Sequence, residues 1–420
     1  MLTFQDCEQI HQVHGSPFYL FDQQRFINNY ERFETAFVDR YNNTRIGYSY
    51  KTNYLPWICR IVRDHGGIAE VVSRLEYDLA LRINQNPQDI LFNGPLKESR
   101  DLELALDLGS SVNLDAEHEL DVVARYSQCH PDRQFRVGLR ININLSDTQG
   151  TSYVQDGLVG GRFGFSIVRI GEIVTRLAKA GVVVNALHGH SSSSTRSPWI
   201  FEKITRTLCR AAAEHAPSTI DTINVGGGFF GNVPPEFEIA TVPSFDDYAT
   251  TIVGTLLADA WAGKRRPRLI LEPGTALVAD TLSFVTRVVD LKTYGQRRLV
   301  VVDGNVMQTK PSGHSKRQPF RPIRANPKLS EHSEIVDVVG STCMERDVLL
   351  EKVPLSVRVG DYLEIGHLGA YTIVMSPTFI HPAPAVLVCD GKDFIAARTK
   401  QTFEQAFANY SFTQQGGDRR

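Results

Sequence analysis

The feature that most constrains the fold is a recurrence. Short runs rich in apolar and β-branched residues return eight times in the first two thirds of the 420-residue chain, at Arg45–Tyr50, Ile68–Val72, Ile90–Asn93, Ser111–Leu114, Arg136–Ile141, Val182–His188, Ile220–Val225 and Leu269–Leu271. Between the early runs lie segments such as LPWICRIVRDHGG and KESRDLELALDLG, whose apolar residues fall at three- and four-residue steps and whose ends carry Gly or Asn. Strand and helix therefore alternate with a period of about 22 residues. Alternating βα units need a parallel sheet, and eight of them close into a (β/α)8 barrel, which places the chain in the α/β class. From about residue 280 the texture changes to strand-like runs (SFVTRVVDLKTY, RLVVVDG, SEIVDVVG, DYLEIG, AVLVCDG) set between turn residues. SPFYLFD near the start is also strand-like. The expected organisation is a barrel over 24–280, a sandwich- or barrel-like β-domain built from 1–23 and 281–413, and a flexible tail at 414–420.

Charge narrows the partners. With 45 Lys+Arg against 47 Asp+Glu the net charge is −2, which offers no grip for nucleic acid or an anionic membrane. The start, MLTFQDCEQIHQVHG, lacks a basic segment followed by an apolar one, and no run is apolar enough to span a bilayer, so a cytoplasmic location is expected. Six cysteines without a C-x-x-C spacing read as reduced thiols, mostly in the core. His188 and His190 share one face of a strand, but no third ligand of suitable spacing accompanies them and no metal is expected.

In a (β/α)8 barrel the chemistry collects at the carboxyl ends of the strands. Strand one ends in YSYKTN with Lys51, strand six in LHGHSSSS, strand seven in NVGGGFFG and strand eight in LEPGT. Singly these are weak signals: a solvated lysine, core histidines, or a tight turn of Gly226, Gly227 and Gly228 that would also admit an anion to backbone N–H groups.

In this order and spacing the sequence resembles the fold-type III pyridoxal-phosphate decarboxylases, the family of diaminopimelate, ornithine and arginine decarboxylases, whose barrel is shared with alanine racemases. YSYKTN resembles Y-A-x-K-A-N, which implies that Lys51 holds pyridoxal 5′-phosphate as a Schiff base. EVVSRLEYDLAL resembles D-V-x-S-x-x-E, with Glu70 and Glu76 at its acidic positions. HGHSSSS is similar to H-x-H-x-G-S and implies that His190 stacks on the pyridine ring and Ser193 touches the phosphate. GGGFFG and EPGT resemble G-G-G-F and E-P-G-R, giving Gly226, Gly227, Gly228, Glu272, Gly274 and Thr275 as further cofactor contacts. GSTCMERD and GAYT resemble G-P-x-C-E-x-x-D and G-A-Y, implying a homodimer with shared sites in which Cys343 returns the proton to Cα and Tyr371 binds the phosphate. Glu272 implies a ring nitrogen kept protonated and a carbanion-like quinonoid, favouring decarboxylation over racemisation. A non-catalytic regulatory homologue would have no need of all these residues together.

Three departures bear on the substrate. Thr275 stands where the motif has arginine, Ser192 where it has glycine, and Met344 where it has the acid that meets a distal amine, unless Glu345 or Asp347 takes that duty. Lys310-Pro311 is similar to an Arg-Pro that faces a distal carboxylate, and Lys316, Arg317, Arg321 and Arg324 follow. A cationic pocket is therefore expected, suiting a carboxylate-bearing amino-acid conjugate such as citryl-diaminopropionate from siderophore biosynthesis. Diaminopimelate or another diamino acid is the alternative.

Overall fold

The computed structural model describes residues 2–146, 152–154, 161–193, 195–326, 333–390 and 393–412. The expected tail at 414–420 lies outside them. Two compact units emerge, one over Gln24–Thr281 and the other from the residues up to Gln23 with those from Leu282 on.

Strand β1 (Phe18–Phe21) belongs to the second unit. In the first, β2 (Thr44–Ser49), β3 (Ile68–Val71), β4 (Ile90–Phe92), β5 (Ser111–Leu114), β6 (Phe135–Arg140), β7 (Val182–His188), β8 (Thr222–Asn224) and β9 (Arg268–Leu271) form a closed barrel in chain order. Every neighbouring pair is parallel, and β9 returns to β2 with Ile270 opposite Arg45. All eight expected runs are barrel strands. The helix Pro56–Asp64 starts on proline, whose missing N–H costs nothing there, and turns Ile58, Cys59 and Val62 inward. The helix Arg74–Arg82 starts on Ser73, whose Oγ accepts from the Glu76 N–H at 3.3 Å, while Glu76 reaches back to accept from the Val72 N–H at 2.7 Å. The S-x-x-E part of the resemblance is thus a helix cap. Burial pushes the Glu76 carboxyl up to about 7.

Aromatic packing fixes the glycine-rich turn. Phe229 stacks on Phe201 at 4.4 Å and meets Phe33 and Tyr248 edge-on at 5.1 Å, so the chain just after Gly228 is wedged among three helices.

In the second unit, β10 (Leu282–Tyr294), β11 (Arg297–Val302), β12 (Phe320–Ile323), β13 (Glu334–Val339), β14 (Val348–Leu355), β15 (Tyr362–Ile365), β16 (Ala385–Asp390) and β17 (Asp393–Arg398) join β1 in a nine-stranded mixed sheet. β1 lies between β10, antiparallel, and β16, parallel. A helix at Phe4–His14, capped reciprocally by Thr3 and Asp6, contributes Cys7 and Ile10 to a core with Phe18, Val285, Tyr362 and Leu387. Cys7, Cys59 and Cys209 are buried, whereas Cys129, Cys343 and Cys389 are exposed, so only half of the thiols are core residues. Among the described residues no helix is long and apolar enough to cross a membrane.

Candidate active site

Lys51 follows β2 in a single 3-10 turn, Tyr50–Thr52, pinned by the buried Tyr50 and Thr52. Its side chain is 36% exposed, and Nζ lies 2.6 Å from both Ser49 Oγ and Glu70 Oε2. Glu70 is buried on β3 and also accepts from the Ser49 hydroxyl. Its other oxygen, Oε1, accepts from Asn93 Nδ2 at 2.9 Å.

The same Asn93 amide nitrogen donates at 2.8 Å to Glu272 Oε1, so its two N–H bonds join two carboxylates. Glu272 follows β9 and is buried; Asn224, at the end of β8, donates to Oε1 at 2.7 Å. Asn113 donates to Asn93 Oδ1 at 2.8 Å and thereby fixes which way the Asn93 amide faces. Burial acts to raise the Glu272 carboxyl, but His188 and Lys51 outweigh it and hold the group well below the usual carboxylate range. Glu272 Oε2 lies 3.5 Å from His188 Nε2, the long limit of a hydrogen bond, so it can still take a closer N–H donor.

His190 Nδ1 accepts the Gly227 N–H at 3.0 Å, which leaves the ring neutral with its proton on Nε2. Burial, then the charges of Arg140 and Lys51, push its pKa down to about 3. The turn has no room for larger residues: a Cβ on Gly226 (φ +70°) would lie 2.6 Å from His190 Cβ, and one on Gly227 2.1 Å from the Glu272 carbonyl oxygen. Gly227→Ala should therefore lower stability by roughly 2 kcal/mol, read as a lower urea midpoint. An unchanged midpoint would show that the turn can move away from β9.

His190 also sets an acid limit. The unfolded chain protonates this histidine near pH 6.5, whereas the folded chain resists until about 3. Its contribution is intact above pH 6.5 and lost as pH falls toward 3, with a slope of at most about 1.4 kcal/mol per pH unit. Urea midpoints of the cofactor-free protein between pH 7 and 5 should fall, and His190→Gln should flatten that slope. An equal slope in the variant would mean that another group carries it.

Ser193 Oγ accepts the backbone N–H of Arg196 at 2.9 Å, bracing its own loop. Thr275 opens a four-residue helix after Gly274. Sequence reading missed Arg140, at the end of β6. It is buried, with Nη1 3.2 Å from Asp115 Oδ2 and its guanidinium 4.5 Å over the Phe163 ring. It also missed Asn93, Asn113 and Asn224; an asparagine inside or ending an apolar strand was the available signal.

In the other unit, Cys343, Met344 and Glu345 occupy the turn before β14, with Cys343 and Glu345 exposed. Asp347 is buried and engaged: Oδ1 accepts from the Val306 N–H at 2.7 Å, and Oδ2 from the N–H and hydroxyl of Thr342 at 2.9 and 2.6 Å. It braces this loop, so the expected duty of Asp347 toward a distal amine does not fit. The expected cationic pocket also shrinks. Arg321 pairs with Glu364 on the neighbouring strand, and Arg324 donates to the Ser356 carbonyl at 2.7 Å. Half-buried Lys310 has its pKa lowered by burial. Tyr371 holds a left-handed backbone at φ +57° and is 39% exposed.

A family model for the pyridoxal-binding domain of pyridoxal-dependent decarboxylases matches residues 24–279. A diaminopimelate decarboxylase from Methanothermobacter thermautotrophicus is 29% identical over 95% of this chain and 92% of its own length. One from Neisseria meningitidis is 26% identical over 96% of both. Among solved structures, diaminopimelate decarboxylase from Helicobacter pylori complexed with L-lysine aligns with a TM-score of 0.81 at 25% identity, covering 96% of this chain and 98% of that one.

Proposed function

This chain belongs to the pyridoxal-dependent decarboxylase family, and on that footing we propose that it removes the α-carboxylate of a diamino acid of the diaminopimelate kind. Pyridoxal 5′-phosphate is its cofactor. When bound, that cofactor would supply the electron sink that loss of CO₂ from an amino acid needs. The residues at the barrel's carboxyl end fit it: an amine open to solvent, a buried carboxylate held ionised with one oxygen still able to accept, and a neutral imidazole between them in sequence.

The observation that carries the reading is Glu272. Two amide donors on Oε1 and His188 beside Oε2 hold it as an anion, suited to keeping the pyridine nitrogen protonated. Lys51 serves as the anchoring amine, and Glu70 Oε2, at 2.6 Å, accepts its proton. His190, neutral with its proton on Nε2, is assigned to the cofactor ring. Gly226, Gly227, Gly228, Ser193, Gly274 and Thr275 are assigned to cofactor binding, and Tyr371 to the phosphate. Cys343 is assigned as the acid that reprotonates Cα, in a homodimer. Lys310, Met344 and Glu345 are assigned to the substrate's distal end.

The relatives, aligned over almost the whole chain, favour a diamino acid over a citrate conjugate, and the engagement of Arg321 and Arg324 removes two of the cations a conjugate would use. CO₂ release should be measured on meso-diaminopimelate, lysine, ornithine and citryl-diaminopropionate. Turnover confined to the conjugate would overturn the substrate, and α-hydrogen exchange in heavy water without CO₂ would overturn the reaction.

A further inference from the structure

The amino-terminal ends of β2–β9 lie on the face opposite Lys51 and Glu272, and there the barrel is hollow. Closed eight-stranded barrels ordinarily fill their interior with layers of bulky branched side chains. In this chain β6 and β7 contribute Gly138 and Ala186 instead, and a cavity of about 630 Å³ runs from the amino-terminal mouth as far as Asn113, Asn224 and Ile270. A Cβ on Gly138 would sit 1.9 Å from Asn113 Oδ1, so the glycine makes room for a polar side chain. The volume lies within the range of small-molecule sites.

The rim of this cavity is cationic. Arg136, Arg265, Arg266 and Arg268 line it with one carboxylate, Asp221, so four positive charges meet one negative and three remain. Asp221 is already engaged, by Arg136, by the Thr222 hydroxyl at 2.9 Å and by Asn185 Nδ2 at 3.3 Å. Arg265 donates to the Ser218 carbonyl at 2.8 Å, and the Arg266 guanidinium lies 4.5 Å over the Tyr41 ring. Arg268 is exposed at the start of β9 and has no carboxylate partner among the described residues. Guanidinium groups recognise carboxylate and phosphate through paired, charge-assisted hydrogen bonds. The deep end is lined by amides, and they are amides already met. Asn224 donates to Glu272 and Asn113 to Asn93, so a body lodged in the cavity would press on the side chains that hold the Glu272 carboxylate.

We propose that the amino-terminal mouth of the barrel is a second binding site, for a small molecule bearing a phosphate or a carboxylate, held by Arg136 and Arg268. Occupancy reaches Glu272 through Asn224 and Asn113, a contiguous set of hydrogen bonds. The site lies outside the machinery assigned to decarboxylation and does not depend on which amino acid is the substrate.

The test uses the holoenzyme, whose cofactor already fills its own phosphate site, titrated calorimetrically at constant ionic strength with inorganic phosphate and, separately, with succinate. One saturable site per chain is expected for at least one probe, with a shift in the visible absorbance of the bound cofactor as it fills. Phosphate alone, or succinate alone, identifies the anion. Arg268→Gln and Arg136→Gln should each weaken that probe about tenfold. Because Arg136→Gln also breaks the pair with Asp221, Arg268→Gln, which removes an exposed side chain, decides the matter if the former fails to fold. Absence of saturable binding, or affinity unchanged in Arg268→Gln, overturns the site. Saturable binding that leaves the cofactor spectrum fixed overturns the coupling to Glu272.

Discussion

Replacing Lys51 by alanine should lower CO₂ release by on the order of 10³-fold and abolish the visible-edge absorbance of the lysine-bound cofactor. The reason is positional. Among the described residues Lys97 also stands just past a barrel strand, but it is differently placed. Lys97, after β4, is buried to 0% exposure, with Nζ 2.9 Å from Glu119 Oε1 and 2.8 Å from the Gly94 carbonyl, and burial lowers its pKa. An amine so enclosed holds the loop that carries it. Lys51 is 36% exposed, and Ser49 and Glu70 hold the amine at a solvent-accessible position. Borohydride reduction of the holoenzyme followed by peptide mass spectrometry should find the cofactor on Lys51. Finding it on Lys97 would reverse the assignment. Lys51→Arg separates charge from chemistry: it can keep an ion pair with Glu70 and the fold, yet it forms no imine and should be as inactive as the alanine variant.

The barrel was readable because its strands are buried on both faces. Ile90–Phe92 shows as an unbroken apolar run and Ile68–Val71 as one interrupted by Glu70 alone, and the loops between them carry standard start and stop residues. The second unit was legible where its strands are apolar or β-branched runs, as in β11, β13 and β16. β12 contains Pro322, β14 bends at Lys352 (φ +49°) and contains Pro354, and β17 carries two alanines, so each breaks the period or lowers the strand propensity that identifies a strand. The Phe4–His14 helix is preceded by T-x-x-D, a capping signal that its sequence carries.

At the site, motif spacing put Lys51, His190, Gly226 and Glu272 just past strand ends, and each stands within two residues of one. What spacing could not supply is the wiring. Asn93, Asn113 and Asn224 come from three different strands and are brought together only by barrel closure. The basic run after Lys310 misled for the converse reason: charges near in sequence part in the fold, Arg321 on β12 meeting Glu364 and Arg324, just beyond it, the Ser356 carbonyl.

That wiring governs the other large effect, at Glu272. In Glu272→Gln the side-chain carbonyl can still accept from Asn93 and Asn224, and the new amide can donate toward His188, so the fold should survive with its cofactor bound. The negative charge is gone, however, and with it the preference for a protonated pyridine nitrogen. Decarboxylation should fall about 10²- to 10³-fold, the scale for removing one fixed electrostatic partner from a buried site. Glu272→Leu should do something different: two buried amide N–H groups lose their acceptor, at about 1–3 kcal/mol for each group left unpaired, so stability falls as well as activity. Urea unfolding and CO₂ release on both variants separate the two effects. If Glu272→Gln retains near wild-type turnover, the charge at the end of β9 is structural, and the argument for decarboxylation from this residue fails. If both variants lose stability equally, the amide donors do not depend on Glu272 as their acceptor, and the Lys51–Glu70–Asn93–Glu272 chain is not the unit that orders the site.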